Sequence, residues 1–225
     1  MKNVAIIQAR MGSKRLPGKV MMKLDGENPA IYYVIKQLQS SKFLDEIIVA
    51  TSILNRDDPI EKFVTKMNVP VFRGDEENCL DRYYTCAKKF NADIIVRIPA
   101  DKPLIDPCLV DDAISKFSKN KYDYVSNWLS KNVPSGTEVE AMTFDALKKT
   151  WENVTKLNHK EHVTQYIYEN PEEFKILSIK YEKYPLDLKY ALDTKEDYEL
   201  IKSIIKKIKK RPILTEDIIK ILKND

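Results

Sequence analysis

Cysteine is scarce in this chain. There are three among 225 residues, Cys79, Cys86 and Cys108, odd in number and without C-x-x-C spacing. That argues against a disulfide framework and against a cysteine zinc site. Histidine is scarcer still, and His159-Lys160-Glu161-His162 lacks the H-E-x-x-H order of a zinc protease, so both histidines read first as surface or structural groups. No apolar run approaches a membrane span, and the opening M-K-N-V-A-I-I-Q-A-R turns polar too soon for a signal peptide. The expected compartment is therefore the cytoplasm, with no membrane partner. An excess of one charge is also missing: 38 basic residues face 34 acidic ones, a net charge of +4, which gives no reason to expect nucleic acid. The basic run at 202–211 alternates with Ile204, Ile205 and Ile208, as in an amphipathic helix with a solvated lysine face. The dinucleotide fingerprint G-x-G-x-x-G is absent.

What is present is an ordinary globular composition, 43% hydrophobic and 32% charged, long enough for one domain with a sizeable core. Apolar strand candidates at 4–7, 46–51, 69–72, 94–98 and 122–125 alternate with helical patterns near 30–39, 58–67, 77–89 and 107–118. That alternation predicts an α/β fold, a mostly parallel Rossmann-like sheet with helices on both faces. Asp58-Pro59 and Asp106-Pro107 look like capped helix starts with proline in the first turn. Beyond Asn127 the regularity ends. A strand within 138–144, helices near 144–155 and 159–169, strands near 174–180 and 190–193, and helices at 195–209 and 215–222 complete the reading. Residues 1–225 are read as one domain, with 127–187 as an excursion that could serve acceptor binding or dimerisation.

The densest chemistry follows the first strand. Arg10, Gly12, Ser13, Lys14, Arg15, Gly18 and Lys19 fall within ten positions. Four cations beside two glycines, directly after a strand, describe a loop that can approach and neutralise a polyphosphate; a solvated basic loop is the plain alternative. It is not a P-loop: Gly12 and Gly18 enclose five residues rather than four, and Val20 follows Lys19 where a hydroxyl would hold a metal. In open parallel sheets, ligands lie beyond the carboxyl ends of the strands, which puts this loop on one rim with the segments after Thr51, Ile98 and Tyr190.

The acidic counterpart is V-R-I-P-A-D-K-P-L-I-D at 96–106, where prolines bracket Asp101 just past a strand. A rigid carboxylate there suits Mg²⁺, and Asp193 in Leu192-Asp193-Thr194 could share it if the two strands are neighbours. The plain alternatives are a turn residue for Asp101 and a helix N-cap, boxed with Glu196, for Asp193.

In order along the chain, I-I-Q-A-R-M-G-S-K-R-L-P-G-K, V-F-R-G-D-E-E-N-C-L-D-R-Y-Y, V-R-I-P-A-D-K-P-L-I-D-P, Y-V-S-N and E-H-V-T-Q-Y-I resemble the cytidylyltransferases that activate sugar acids, the CMP-sialic acid and CMP-Kdo synthetases. The resemblance is strongest to the SpsF spore-coat polysaccharide subgroup. It implies a nucleotide-diphospho-sugar transferase fold, CTP as donor, a small-molecule acceptor, Mg²⁺ as cofactor and a homodimer. By motif position it implies Arg10, Lys19 and Asp101 as the catalytic set. Ala9, Gly12, Ser13, Arg15, Arg73, Asp81 and Arg82 would join Arg10 and Lys19 around the nucleotide. Asp101 and Asp193 would hold the metal, and Asn127, Glu138, Glu140 and His162 would face the acceptor. Two departures stand out. The family's Gly-Asp is Ala100-Asp101 here, and Lys102 puts a cation beside the metal ligand. A metal-dependent glycosyltransferase of related fold and a non-catalytic nucleotide-binding module are the other readings; Asp101-Lys102-Pro103 is not the Asp-x-Asp of the first.

Overall fold

The computed structural model describes residues 1–117, 121–182, 184–185 and 188–223. Residue 118 of the expected fourth helix and residues 183, 186 and 187 of the expected excursion lie outside the described residues. Among the described residues seven strands form one sheet: β1 (Asn3–Gln8), β2 (Glu46–Ser52), β3 (Val71–Gly74), β4 (Ile94–Pro99), β5 (Tyr124–Ser126), β6 (Glu140–Thr143) and β7 (Ile176–Ser178), in the order β3-β2-β1-β4-β6-β5-β7. β3, β2, β1 and β4 run parallel, β6 is antiparallel to both β4 and β5, and β7 pairs parallel with β5. Residues 127–187 therefore return to the main sheet twice, as β6 and β7.

The helices are α1 (Ala30–Leu38), α2 (Asp58–Lys66), α3 (Cys79–Lys89), α4 (Pro107–Ser115), α5 (Phe144–Asn153), α6 (Leu157–Glu161), α7 (Gln165–Glu169), α8 (Lys195–Lys207) and α9 (Thr215–Leu222). Strand alternation sorts the core into two layers. Ala5 and Ile7 of β1 pack with Val34 and Leu38 of α1, while Val4 and Ile6 pack with Leu80 and Tyr83 of α3. Both faces of β1 are covered, which is why its sequence is a continuous apolar run rather than an alternating one. A third cluster joins Ile201, Ile204 and Ile205 of α8 to Ile218 of α9 and to Leu24, so the isoleucines inside the basic C-terminal run are the buried side of an amphipathic helix.

Three sequence expectations are corrected. Residues 190–193 form no strand; Leu192 N–H instead donates to Asp101 O at 2.8 Å, tying this segment to the loop after β4. The cap of α8 is Thr194, boxed with Asp197, because the Asp197 carboxylate receives the amides of both Asp193 and Thr194. That leaves the Asp193 side chain for other partners. The expected helix at 159–169 is two short helices, α6 and α7. The break falls at 162–164, where His162 leaves helical geometry and the Thr164 hydroxyl is drawn inward to Glu140.

Candidate active site

The loop after β1 is held from beneath. Asp57, fully buried, accepts from Met11 N–H at 2.7 Å with one oxygen and from Ser52 N–H and Oγ with the other. Ser13 and Gly18 both donate their amides to Met11 O at 2.9 Å, which folds the loop back on itself. Gly18 makes that reversal in the left-handed region, φ 71°, where a side chain would be strained. Gly12 serves packing instead: a Cβ there would come within 3.0 Å of the Arg56 and Glu76 side chains, which are ion-paired beside the loop.

The reversal delivers Lys19 to the junction of three segments. Its Nζ lies 2.7 Å from Asp101 Oδ2 and 2.8 Å from Asp193 Oδ1, and Arg15 reaches the same Asp193 oxygen at 3.0 Å. The two carboxylates come from positions 92 residues apart (193 minus 101) and converge on one cation. Among the described residues no group of three or more His, Cys, Asp or Glu side chains is arranged to hold a metal. Two carboxylates around a positive charge still form a donor set that Mg²⁺ can use when phosphate oxygens and water complete its shell. Lys102 does not disturb them. Its ammonium turns away, 3.0 Å from Glu138 Oε2 and 2.8 Å from Glu138 O.

Two clefts meet at this junction. The first, about 400 Å³, holds Ala9, Arg10, Ser13, Arg15, Lys19, Arg82 and Asp101 of the expected site. The second, about 280 Å³, holds Asp101, Glu138, Glu140, His162 and Asp193. Arg97, Asp101 and His162 line both. Arg10 is 3.6 Å from Glu161 across the mouth of the first cleft. The Ala9 amide is committed to Ala50 O. Arg82 is 3% exposed and donates to Asp75 O and Cys79 Sγ; among the described residues no carboxylate lies within ion-pair distance of it. A buried guanidinium without a counter-charge is costly, and an anionic ligand in the cleft would supply one.

Three expected residues stand elsewhere. Arg73 folds back on Asp58 and Glu61, both at 2.7 Å, and on the carbonyls of Ser52 and Leu54, so it clasps α2 to the end of β2. Asp81 accepts from Trp151 Nε1 at 2.9 Å and ties α3 to α5. Asn127, 1% exposed, accepts from Val139 N–H and donates to Thr137 O, closing the 127–139 loop rather than lining a cleft.

Glu140 reaches the second cleft but is already engaged. Its Oε1 receives Tyr124 OH and Thr164 Oγ1, both at 2.6 Å, and its Oε2 receives Arg97 Nη1 at 2.5 Å. Burial opposes its charge, yet the Arg97 guanidinium and the two hydroxyls hold its carboxyl below the ordinary value. Burial likewise opposes the charge on Arg97, and Glu140 outweighs it. Arg97 has no expected role, although it sits in the quoted V-R-I-P-A-D motif. The available signal was a charged residue inside an otherwise apolar strand, which the antiparallel β4–β6 register sets directly opposite Glu140.

Over residues 4–220 the chain matches the family described as cytidylyltransferase. It is 43% identical over 202 residues to an uncharacterized protein of Methanocaldococcus jannaschii, covering 89% of this chain and 82% of that one. It is 34% identical over 218 residues to spore coat polysaccharide biosynthesis protein SpsF of Bacillus subtilis, covering 92% and 88%. The solved structure of a cytidylyltransferase from Leptospira borgpetersenii has a TM-score of 0.95 at 33% identity, over 100% of this chain and 94% of that one.

Proposed function

The chain belongs to the cytidylyltransferase family, and from that premise we propose that it transfers CMP from CTP to a hydroxyl of a small acceptor, a sugar acid or related surface-polysaccharide precursor. The acceptor oxygen forms a bond to the α-phosphorus. The bond from that phosphorus to the bridging oxygen breaks, pyrophosphate leaves with the electron pair, and the hydroxyl proton passes to solvent. The observation that carries this reading is the convergence of Lys19, Arg15, Asp101 and Asp193 where a cation-rich cleft meets a second polar cleft.

Such transfers depend on positioning and charge neutralisation more than on covalent help. The first cleft takes the triphosphate: Arg10, Arg15 and Lys19 offset its charge, and Arg82 gains the counter-ion it lacks among the described residues. Asp101 and Asp193 are the residues that would hold Mg²⁺, which when bound neutralises phosphate oxygens and the developing charge. The second cleft brings the acceptor to Asp101 from the other side. A homodimer and a cytoplasmic location belong to the same proposal, from family resemblance; among the described residues no helix is long and apolar enough to cross a membrane.

The test is pyrophosphate release on incubation with each nucleoside triphosphate, Mg²⁺ and a series of sugar acids. Release confined to CTP with a sugar acid is expected. CTP binding without release for any acceptor would leave a nucleotide-binding module instead.

A further inference from the structure

The chain has two tryptophans with nearly equal exposure, 37% for Trp128 and 38% for Trp151. Trp151 is explained by the fold. It stacks on Tyr84 with centroids 4.3 Å apart, and its Nε1–H is taken by Asp81. Trp128 is not. It stands on the loop after β5, and among the described residues the one aromatic ring paired with it is Tyr168 of α7, with centroids 5.1 Å apart and planes tilted by 46°. Neither Trp128 Nε1 nor the Tyr168 hydroxyl has a hydrogen-bond partner among the described residues, and both residues line the second cleft. A buried or half-buried indole or phenol normally finds a partner for its polar end.

We propose that Trp128 and Tyr168 form the platform on which the acceptor's ring lies. This rests on the transfer reading above and adds two residues that position the acceptor in its second cleft. A pyranose has one face of C–H groups, which pack on the negative faces of aromatic rings, and a rim of hydroxyls. The cleft supplies both surfaces. The aromatic pair is the apolar wall. The idle Nε1–H and phenol, with Ser135, Lys102 and Glu138, form a polar rim. Its volume, about 280 Å³, sits at the lower end of small-molecule sites and suits one ring rather than an oligosaccharide. Arg97 lines the same cleft with its Nη1 already spent on Glu140.

The full-length Trp151→Phe variant leaves Trp128 as the sole indole reporter. Its fluorescence is titrated, with CTP and Mg²⁺ present, against Kdo, mannose and N-acetylglucosamine, with citrate as an acid that has no sugar ring. A saturable change with at least one sugar and none with citrate is expected. In steady-state assays, Trp128→Ala should raise the acceptor KM by about tenfold, with the KM for CTP held within about twofold and Trp128→Phe restoring most of the loss. A silent Trp128 with every sugar, or an unchanged acceptor KM in Trp128→Ala, overturns the platform. A responding Trp128 with bound CTP but no pyrophosphate would uphold the platform and overturn the transfer reading.

Discussion

The two clefts share Arg97, Asp101 and His162 and differ in almost everything else. Six cationic side chains and three acids line the first; two cations and four acids line the second. In the first, charge is left over: Lys14 is exposed on the loop, and Arg82 is buried without a carboxylate among the described residues. In the second, charge is mostly spent internally, Arg97 on Glu140 and Lys102 on Glu138. The first has cationic charge to spare for the triphosphate proposed above. The second is a polar cavity with an aromatic wall and its cations already paired.

The largest test of this comparison is at the shared edge. Asp101→Asn keeps size and removes the charge that faces Lys19. Pyrophosphate release should fall by about three orders of magnitude, the scale of losing one preorganised electrostatic group, with an unchanged circular dichroism spectrum. Near-normal turnover would remove Asp101 from the chemistry.

Glu140→Gln comes next and separates the clefts by stability rather than rate. It strands the Arg97 guanidinium, whose side chain is 14% exposed. Removing one member of a buried pair costs about 3–5 kcal/mol, which denaturant unfolding would register. The pH dependence follows from the direction of the shift. The folded carboxyl lies below its ordinary 4.5, so its contribution is complete above that pH and is lost as pH falls through the folded value. The wild-type protein should lose stability on acidification below about pH 4.5, and Glu140→Gln should lose less over the same range. Equal acid sensitivity in the two proteins would show that Glu140 is not held ionised by Arg97.

The contrast also explains what could be read in advance. The first cleft is largely one contiguous loop, Arg10 to Lys19, in which residue type and spacing are visible along the chain. So are the strands that set it, because burial on both faces writes β1, β2 and β4 as apolar runs. The second cleft is assembled from β4 and the turn after it, the 127–138 loop, β6, the link between α6 and α7, α7 and the segment before α8. Its members are brought together by tertiary pairing, and no local pattern tells that Glu140 will be consumed by Arg97, Tyr124 and Thr164 while Trp128 stays free. The missing strand at 190–193 has the same origin. Tyr190-Ala191-Leu192 is apolar because Tyr190 and Leu192 are buried, but their amides go to Ser135 and Asp101 rather than to a ladder. Asn127, Asp81 and Arg73 carried the right chemistry in matching motifs. The structure gives each a structural partner.

Lys19→Ala should act next in size and only on the nucleotide side. It deletes a charge that the triphosphate would meet, so the KM for CTP should rise by about tenfold to a hundredfold, a charge-assisted contact of 1.5–3 kcal/mol. The acceptor KM should move little. A reversed pattern, with the acceptor affected and CTP not, would collapse the distinction between the clefts.

The smallest expected effect is at Arg73, and it sharpens the boundary of the first cleft. Motif position puts this arginine beside the nucleotide; the structure puts it 2.7 Å from Asp58 and Glu61, with its remaining donors on Ser52 O and Leu54 O. Asp58 and Glu61 are half exposed, 56% and 42%, so solvent screens those pairs. Arg73→Ala should therefore cost about 1 kcal/mol of stability at most and leave the KM for CTP within about twofold. If the KM rises tenfold while stability holds, Arg73 leaves the α2 clasp when CTP arrives, and the first cleft is larger than its resting walls.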